Sequence, residues 1–135
     1  IVCVPCTAPL RLPIDIESCL DELEKTDADM VVTVTDAHRS PYFNMVKKKS
    51  DNSVSLVMHN EESIVRRQAV PVVYDMTTVA YAARPDFIMT HDSMFEGLVR
   101  AVHVPPERAL DIDTQLDFEL AEFLMRKRQN RNAND

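Results

Sequence analysis

The sequence predicts an α/β fold: a mostly parallel sheet carrying a protruding antiparallel hairpin. Three observations lead there. The first 35 residues read strand, helix, strand; two β-prone runs flank a turn cluster at Ser50-Asp51-Asn52; and a capped amphipathic helix closes the chain. The opening run Ile1-Val2-Cys3-Val4 is apolar on both faces and ends at Pro5, as a short buried strand does. From Asp15 to Thr26, Ile16, Cys19, Leu20 and Leu23 recur at i, i+3, i+4 and i+7 behind Pro13, which predicts a helix. Met30 to Thr35 is a β-branched strand, so the opening is expected to form a parallel βαβ unit. Tyr42 to Lys48 and Ser53 to Met58 form the hairpin, within a dimerisation segment of about residues 40–72. Met76 to Ala83 is expected as a central strand and Val99 to Val104 as a short one closed by Pro105-Pro106. Thr114 and Asp117 have capping-box spacing ahead of an apolar stripe of Leu116, Leu120, Phe123 and Leu124, and residues 130–135 read as a frayed polar tail.

Composition narrows the function. A chain of 135 residues allows one domain, burying roughly 68% of its unfolded surface. No apolar run approaches the ~20 residues of a membrane span, so a soluble protein is expected. The net charge of −7 argues against nucleic acid and anionic membranes as general partners. Gly97 is the single glycine, which excludes Gly-rich phosphate loops from this chain. The odd set Cys3, Cys6 and Cys19 fits a reducing compartment, with cytoplasm as the default, and Cys3-x-x-Cys6 lacks the second pair that a zinc site needs. His38, His59, His91 and His103 lack ligand spacing, and no Gly-x-Ser-x-Gly elbow is present.

Asp111-Ile112-Asp113 is the most informative local pattern. In an extended segment both carboxylates project to one face, where they could share a hard cation; a charged turn capping the last helix is the other reading, and Asp27-Ala28-Asp29 is a second instance of the spacing. Arg11, past the end of the first strand, stands where open α/β sheets place ligands. Lys47-Lys48-Lys49 and Arg66-Arg67 could hold a carboxylate or phosphate, or be solvated hairpin charges.

Taken together, four segments resemble one family, the acylneuraminate cytidylyltransferases, or CMP-sialic acid synthetases. Val4-Pro5-Cys6-Thr7-Ala8-Pro9-Leu10-Arg11 is similar to the family's Leu-Gln-Pro-Thr-Ser-Pro-Leu-Arg. Arg66-Arg67-Gln68, Tyr74 to Tyr81, and Leu110-Asp111-Ile112-Asp113-Thr114 followed by Leu116-Asp117-Phe118 complete the match, in family order across almost the whole chain. The resemblance implies a Rossmann-like nucleotidyltransferase fold, a homodimer, and transfer of CMP from CTP to a sugar acid of the nonulosonic type, with release of pyrophosphate. It further implies that Asp111 and Asp113 hold Mg²⁺ and that Arg11 and Thr7 lie beside the nucleotide and sugar. Thr77, Tyr81 and Phe95 would line the sugar pocket, and Lys48, Arg67 and Gln68 would reach a neighbouring subunit's site. Pro5, Ala8 and Thr77-Thr78 stand where the family has Gln, Ser and Asn-Gly, changes that bear on the sugar more than on the metal. The family's amino-terminal half, with its basic Gly-rich nucleotide loop, is expected to lie outside this sequence. The alternatives are a non-catalytic dimerisation or sugar-acid-binding remnant of the family, and a CMP-octulosonate synthetase.

Overall fold

A computed structural model of the chain describes residues 1–58 and 71–132. The elements are β1 (Val2–Cys3), α1 (Pro13–Lys25), β2 (Met30–Asp36), β3 (Val46–Lys48), β4 (Val54–Leu56), β5 (Tyr74–Ala83), α2 (Pro85–Thr90), a 3₁₀ turn (Met94–Glu96), β6 (Val99–His103) and α3 (Gln115–Asn132). They fall into two compact units, Ile1–Thr35 with Met76–Asp135, and Asp36–Asp75.

The first unit is built on a four-stranded sheet in the order β1-β5-β2-β6. β2 and β6 pair in parallel, Met30 opposite Val99 through Val34 opposite His103. β1 pairs antiparallel with β5, Val2 opposite Ala82 and Cys3 opposite Tyr81. The sheet is therefore mixed rather than mostly parallel. The opening strand, helix and strand exist as expected, but β5 occupies the place between β1 and β2. Periodicity names elements and is silent about neighbours, and a crossover helix spans one intervening strand as readily as none.

One core lies between α1 and the sheet, where Cys19, Leu23, Ala28, Val31, Ala80 and Ala82 are buried. A smaller one gathers Ala8, Val79 and Val104. α1 is fixed at both ends. Its first turn is closed by reciprocal bonds, Asp15 N–H to the Leu12 carbonyl (3.0 Å) and Leu12 N–H to Asp15 Oδ2 (2.8 Å). At its C-terminus the Arg84 guanidinium donates to the carbonyls of Leu23 and Thr26, acceptors that the helix leaves open, and to that of Ala28 in the following loop, at 2.8–3.0 Å. Gly97 is required for space: a Cβ there would come within 2.5 Å of the Phe87 ring and 2.8 Å of Asp29 Oδ2.

Two features depart from the sequence pattern. α2 and the 3₁₀ turn were not legible, being single turns without amphipathic period. α3 buries Ala121, with Leu124 and Met125 half-buried, and leaves Leu116, Leu120 and Phe123 exposed, so most of the expected apolar stripe faces away from this unit. The Thr114–Asp117 capping box is present, Asp117 Oδ2 accepting the Thr114 N–H at 2.8 Å, and the helix continues to Asn132, past the Gln129 where the sequence places the tail. The second unit holds the expected hairpin, β3 and β4 paired antiparallel around Asn52, which takes the left-handed conformation at φ 66°. No described helix is long and apolar enough to cross a membrane.

Candidate functional site

The site is built where the chain leaves β1 and where it returns after β6. The residues after β1 run Val4-Pro5-Cys6-Thr7 without regular structure, Pro5 having no N–H for a ladder bond. After β6 the chain turns at Pro105-Pro106 and comes back as Leu110 to Asp113, and the Ile112 N–H donates to the Thr7 carbonyl at 2.9 Å. That bond ties the Asp-x-Asp segment to the Thr7 segment. Because β1 lies beside β5, Tyr81 stands opposite Cys3 and joins the same region.

Two groups here are buried without a hydrogen-bonding partner: Asp111 Oδ1 and Arg11 Nε. Arg11 also donates through Nη2 to the Pro5 carbonyl, which folds the guanidinium back over its own loop. A carboxyl oxygen and a guanidinium N–H that are shut from water and unpaired carry a desolvation cost of roughly 1–3 kcal/mol each. Groups of that kind call for a partner, whether a ligand, an ion or a water. The Tyr81 hydroxyl feels the same region: burial raises its pKa first, and the negative charges of Asp111 and then Cys3 raise it further, so it is a neutral phenol able to donate.

The remaining expected residues are placed as follows. Asp113 is exposed, one residue before the Thr114–Asp117 box, and its own N–H is held by Asp117 Oδ2 at 3.3 Å. Thr77 is 5% exposed, and its hydroxyl donates to Thr33 Oγ1 at 2.7 Å between β5 and β2. Phe95 lies on the 3₁₀ turn that precedes β6, whereas Asp111 follows β6, so the strand separates them by its length, roughly 16 Å for five residues. It is 69% exposed there. Lys48 is exposed on β3 in the second unit, and Arg67 and Gln68 lie outside the described residues. The structure thus gathers Thr7, Arg11, Tyr81 and Asp111, and sets Phe95 at the other end of β6.

Sequence reasoning named Thr77 and Thr78 but missed Thr33 and Thr35, which face them across β5 and β2 or share their burial. Thr33 Oγ1 bonds to Thr77 and to the Ala80 carbonyl at 3.1 Å, and the hydroxyls of Thr35 and Thr78 are buried and unpartnered. The signal of Thr33 and Thr35 is the Thr-Val-Thr alternation of β2, which reads equally well as ordinary strand composition, whereas Thr77 and Thr78 stand on β5. Among the described residues no three His, Cys, Asp or Glu side chains gather as a metal site would require. The donors that the resemblance offers are two carboxylates, Asp111 and Asp113. Two fit Mg²⁺, which keeps several waters and takes substrate phosphates rather than an all-protein cage, and the orphaned Asp111 Oδ1 is a hard oxygen of the right kind.

Comparison with known proteins points the same way. The chain is 32% identical over 129 residues to the post-translational flagellin modification protein B of Campylobacter coli, a match covering 96% of this chain and 53% of that protein. It is 33% identical over 95 residues to a CMP-N,N'-diacetyllegionaminic acid synthase of Campylobacter jejuni, covering 70% of this chain and 39% of the other. An N-acylneuraminate cytidylyltransferase of Streptococcus agalactiae matches at 24% identity over 112 residues, 83% of this chain and 27% of that protein. The chain is similar to members of the acylneuraminate cytidylyltransferase family over part of their length. No family model matches it. The chain spans about half the length of the first of these relatives, and less of the other two.

Proposed function

We propose that the chain forms the sugar-acid and metal side of a CTP-dependent cytidylyltransferase active site. In this reaction the anomeric hydroxyl oxygen of a sugar acid attacks the α-phosphorus of CTP. The bond to the β-phosphate oxygen breaks, pyrophosphate leaves with the electron pair, and the hydroxyl proton is lost, giving a CMP-sugar. The observation that carries the reading is two buried, unpartnered groups, Asp111 Oδ1 and Arg11 Nε, on segments that the Ile112 to Thr7 hydrogen bond ties together, in a chain similar to a CMP-N,N'-diacetyllegionaminic acid synthase.

Each residue then has a task. Asp111 and Asp113 would hold Mg²⁺, which when bound neutralises charge spread over the phosphate oxygens. Arg11, tethered at Pro5, presents its remaining donors to an anionic oxygen of nucleotide or sugar without the entropy loss of a free side chain. Tyr81 stays protonated and donates to a sugar hydroxyl or carboxylate. The nonulosonic acids fit better than an octulosonate on the same relatives, one named for legionaminic acid and one for N-acylneuraminate. A homodimer through the β3–β4 hairpin and a cytoplasmic setting belong to the same reading; the three free thiols support the latter.

The test is Asp111→Asn and Asp113→Asn in the full protein, assayed by pyrophosphate release from CTP with a panel of sugar acids. Turnover is expected to fall roughly a hundredfold or more in each, with the circular dichroism spectrum and thermal midpoint kept near wild type. Wild-type turnover in either variant removes the metal assignment. Failure of every sugar acid to release pyrophosphate with the unsubstituted protein leaves the non-catalytic remnant as the reading.

A further inference from the structure

Far fewer cations than carboxylates are present in this chain, yet four cations meet in one place. Between the residues just ahead of α1 and the last turns of α3 lies a cleft of about 480 Å³, within the range of small-molecule sites. Its apolar side is Leu10, Leu12 and Leu124, and its rim carries Arg108, Lys127, Arg128 and Arg131 against a single carboxylate, Glu107. Two of the cations are fixed. Arg108 forks onto the buried Asp15 at 2.8–3.2 Å, and Arg128 donates to the Leu10 carbonyl at 2.9 Å and to Met125 Sδ at 3.2 Å. Asp15 balances Arg108, which leaves Lys127, Arg128 and Arg131 against Glu107. These three occupy i, i+1 and i+4 of one helix, and like charges one turn apart repel. Among the described residues no carboxylate forms an ion pair with any of them.

We propose that this cleft binds a small phosphate monoester. Three positive groups around one opening suit a group with three acceptor oxygens and nearly two negative charges at neutral pH, better than a carboxylate with two oxygens and one charge. Arg supplies a planar fork for such oxygens and Lys a point charge. The leucines give the organic part of the ester an apolar surface to lie on. The cleft shares no lining residue with Asp111 and its neighbours, because Arg11, between Leu10 and Leu12, turns its guanidinium to Pro5 instead.

The test is a ¹⁵N–¹H NMR titration of the full chain with phenyl phosphate, at ionic strength held constant with NaCl. Saturable shifts are expected at the amides of Leu12, Glu107 and Lys127. Lys127 and Arg131 are exposed, so Lys127→Ala/Arg131→Ala is expected to fold as wild type and to bind roughly fivefold or more weakly, as suits two partly exposed ion pairs. Asp111→Asn is expected to leave this binding unchanged, which separates the cleft from the proposed transferase site. Shifts that fail to saturate, or a double variant that binds as wild type, overturn the proposal. Equal binding of benzoate overturns the assignment to phosphate.

Discussion

At the scale of single residues, the three cysteines show how identical side chains acquire different chemistry from burial. Cys3 and Cys6 are exposed, whereas Cys19 is fully buried in the core beneath α1. Burial, and then the charge of Asp15, push the Cys19 thiol from its ordinary 9.0 up to about 11. The thiolate is the reactive species, so Cys19 is inert near neutral pH for two independent reasons, access and ionisation. An aromatic disulfide reagent at pH 8 is expected to titrate two thiols per native chain, and the third only after denaturant is added; three prompt equivalents would mean that α1 does not seal its core. The sign of the pH dependence follows. The folded state holds the Cys19 proton more tightly than the unfolded state does, so stability is full below 9.0 and falls as pH rises towards 11. Cys19→Ala, which keeps a small apolar group, is expected to show a shallower loss of denaturant midpoint across that window. Of the candidate site, Asp111, Arg11, Thr7 and Tyr81 were legible because sequence motifs carry side-chain identity. The buried hydroxyls of Thr35 and Thr78 were not, because a strand threonine looks the same whether or not its hydroxyl finds a partner.

At the scale of elements, the sequence was most reliable where a helix has both period and caps. α1 and α3 lie where the period and caps put them, and the β3–β4 hairpin follows its turn residues. What it could not supply was pairing. β1 is two residues long, and nothing in Val2-Cys3 says that its neighbour is β5, about eighty positions away. Long-range ties of this kind are made by particular contacts, of which the pair of Asp15 with Arg108 is the clearest. Asp15 is 3% exposed and closes the first turn of α1, and Arg108, in the turn after β6, supplies its opposite charge. Arg108→Ala leaves that carboxylate with the Leu12 N–H alone, and is expected to lower stability by about 1–3 kcal/mol in denaturant unfolding. Arg108→Lys is expected to recover only part of the loss, since an ammonium cannot reproduce the two-nitrogen fork. A full recovery by Lys would reduce the contact to simple charge pairing.

At the scale of the whole molecule, the balance of apolar surface is the governing fact. Among the described residues the largest fully buried side chains are Val31, Val79, Val104, Thr33 and Cys19, while Leu116, Leu120, Phe95, Phe118, Phe123 and Met89 stand exposed. Two such surfaces are well defined. One is the face of α3 carrying Leu116, Leu120 and Phe123; the other is the hairpin unit, where Phe43, Met45, Val46, Val54 and Met58 are each more than 40% exposed. Contiguous exposed apolar surface marks an interaction site, and a two-stranded hairpin of three-residue strands is marginal in water without something packed on it. The homodimer proposed above assigns that role to a second hairpin. Sedimentation equilibrium of the full protein is then expected to give twice the chain mass, and Val46→Glu/Val54→Glu to weaken self-association by roughly tenfold or more, as loss of central apolar anchors does. Leu116→Glu/Phe123→Glu provides the comparison. If the α3 variant dissociates and the hairpin variant does not, the self-association surface is the helix. If both behave as wild type, neither apolar face is the contact, and Lys48 has no neighbouring site to reach. Dissociation of the hairpin variant alone, accompanied by loss of pyrophosphate release, would tie the second unit to catalysis through the partner subunit, where the resemblance puts Lys48, Arg67 and Gln68.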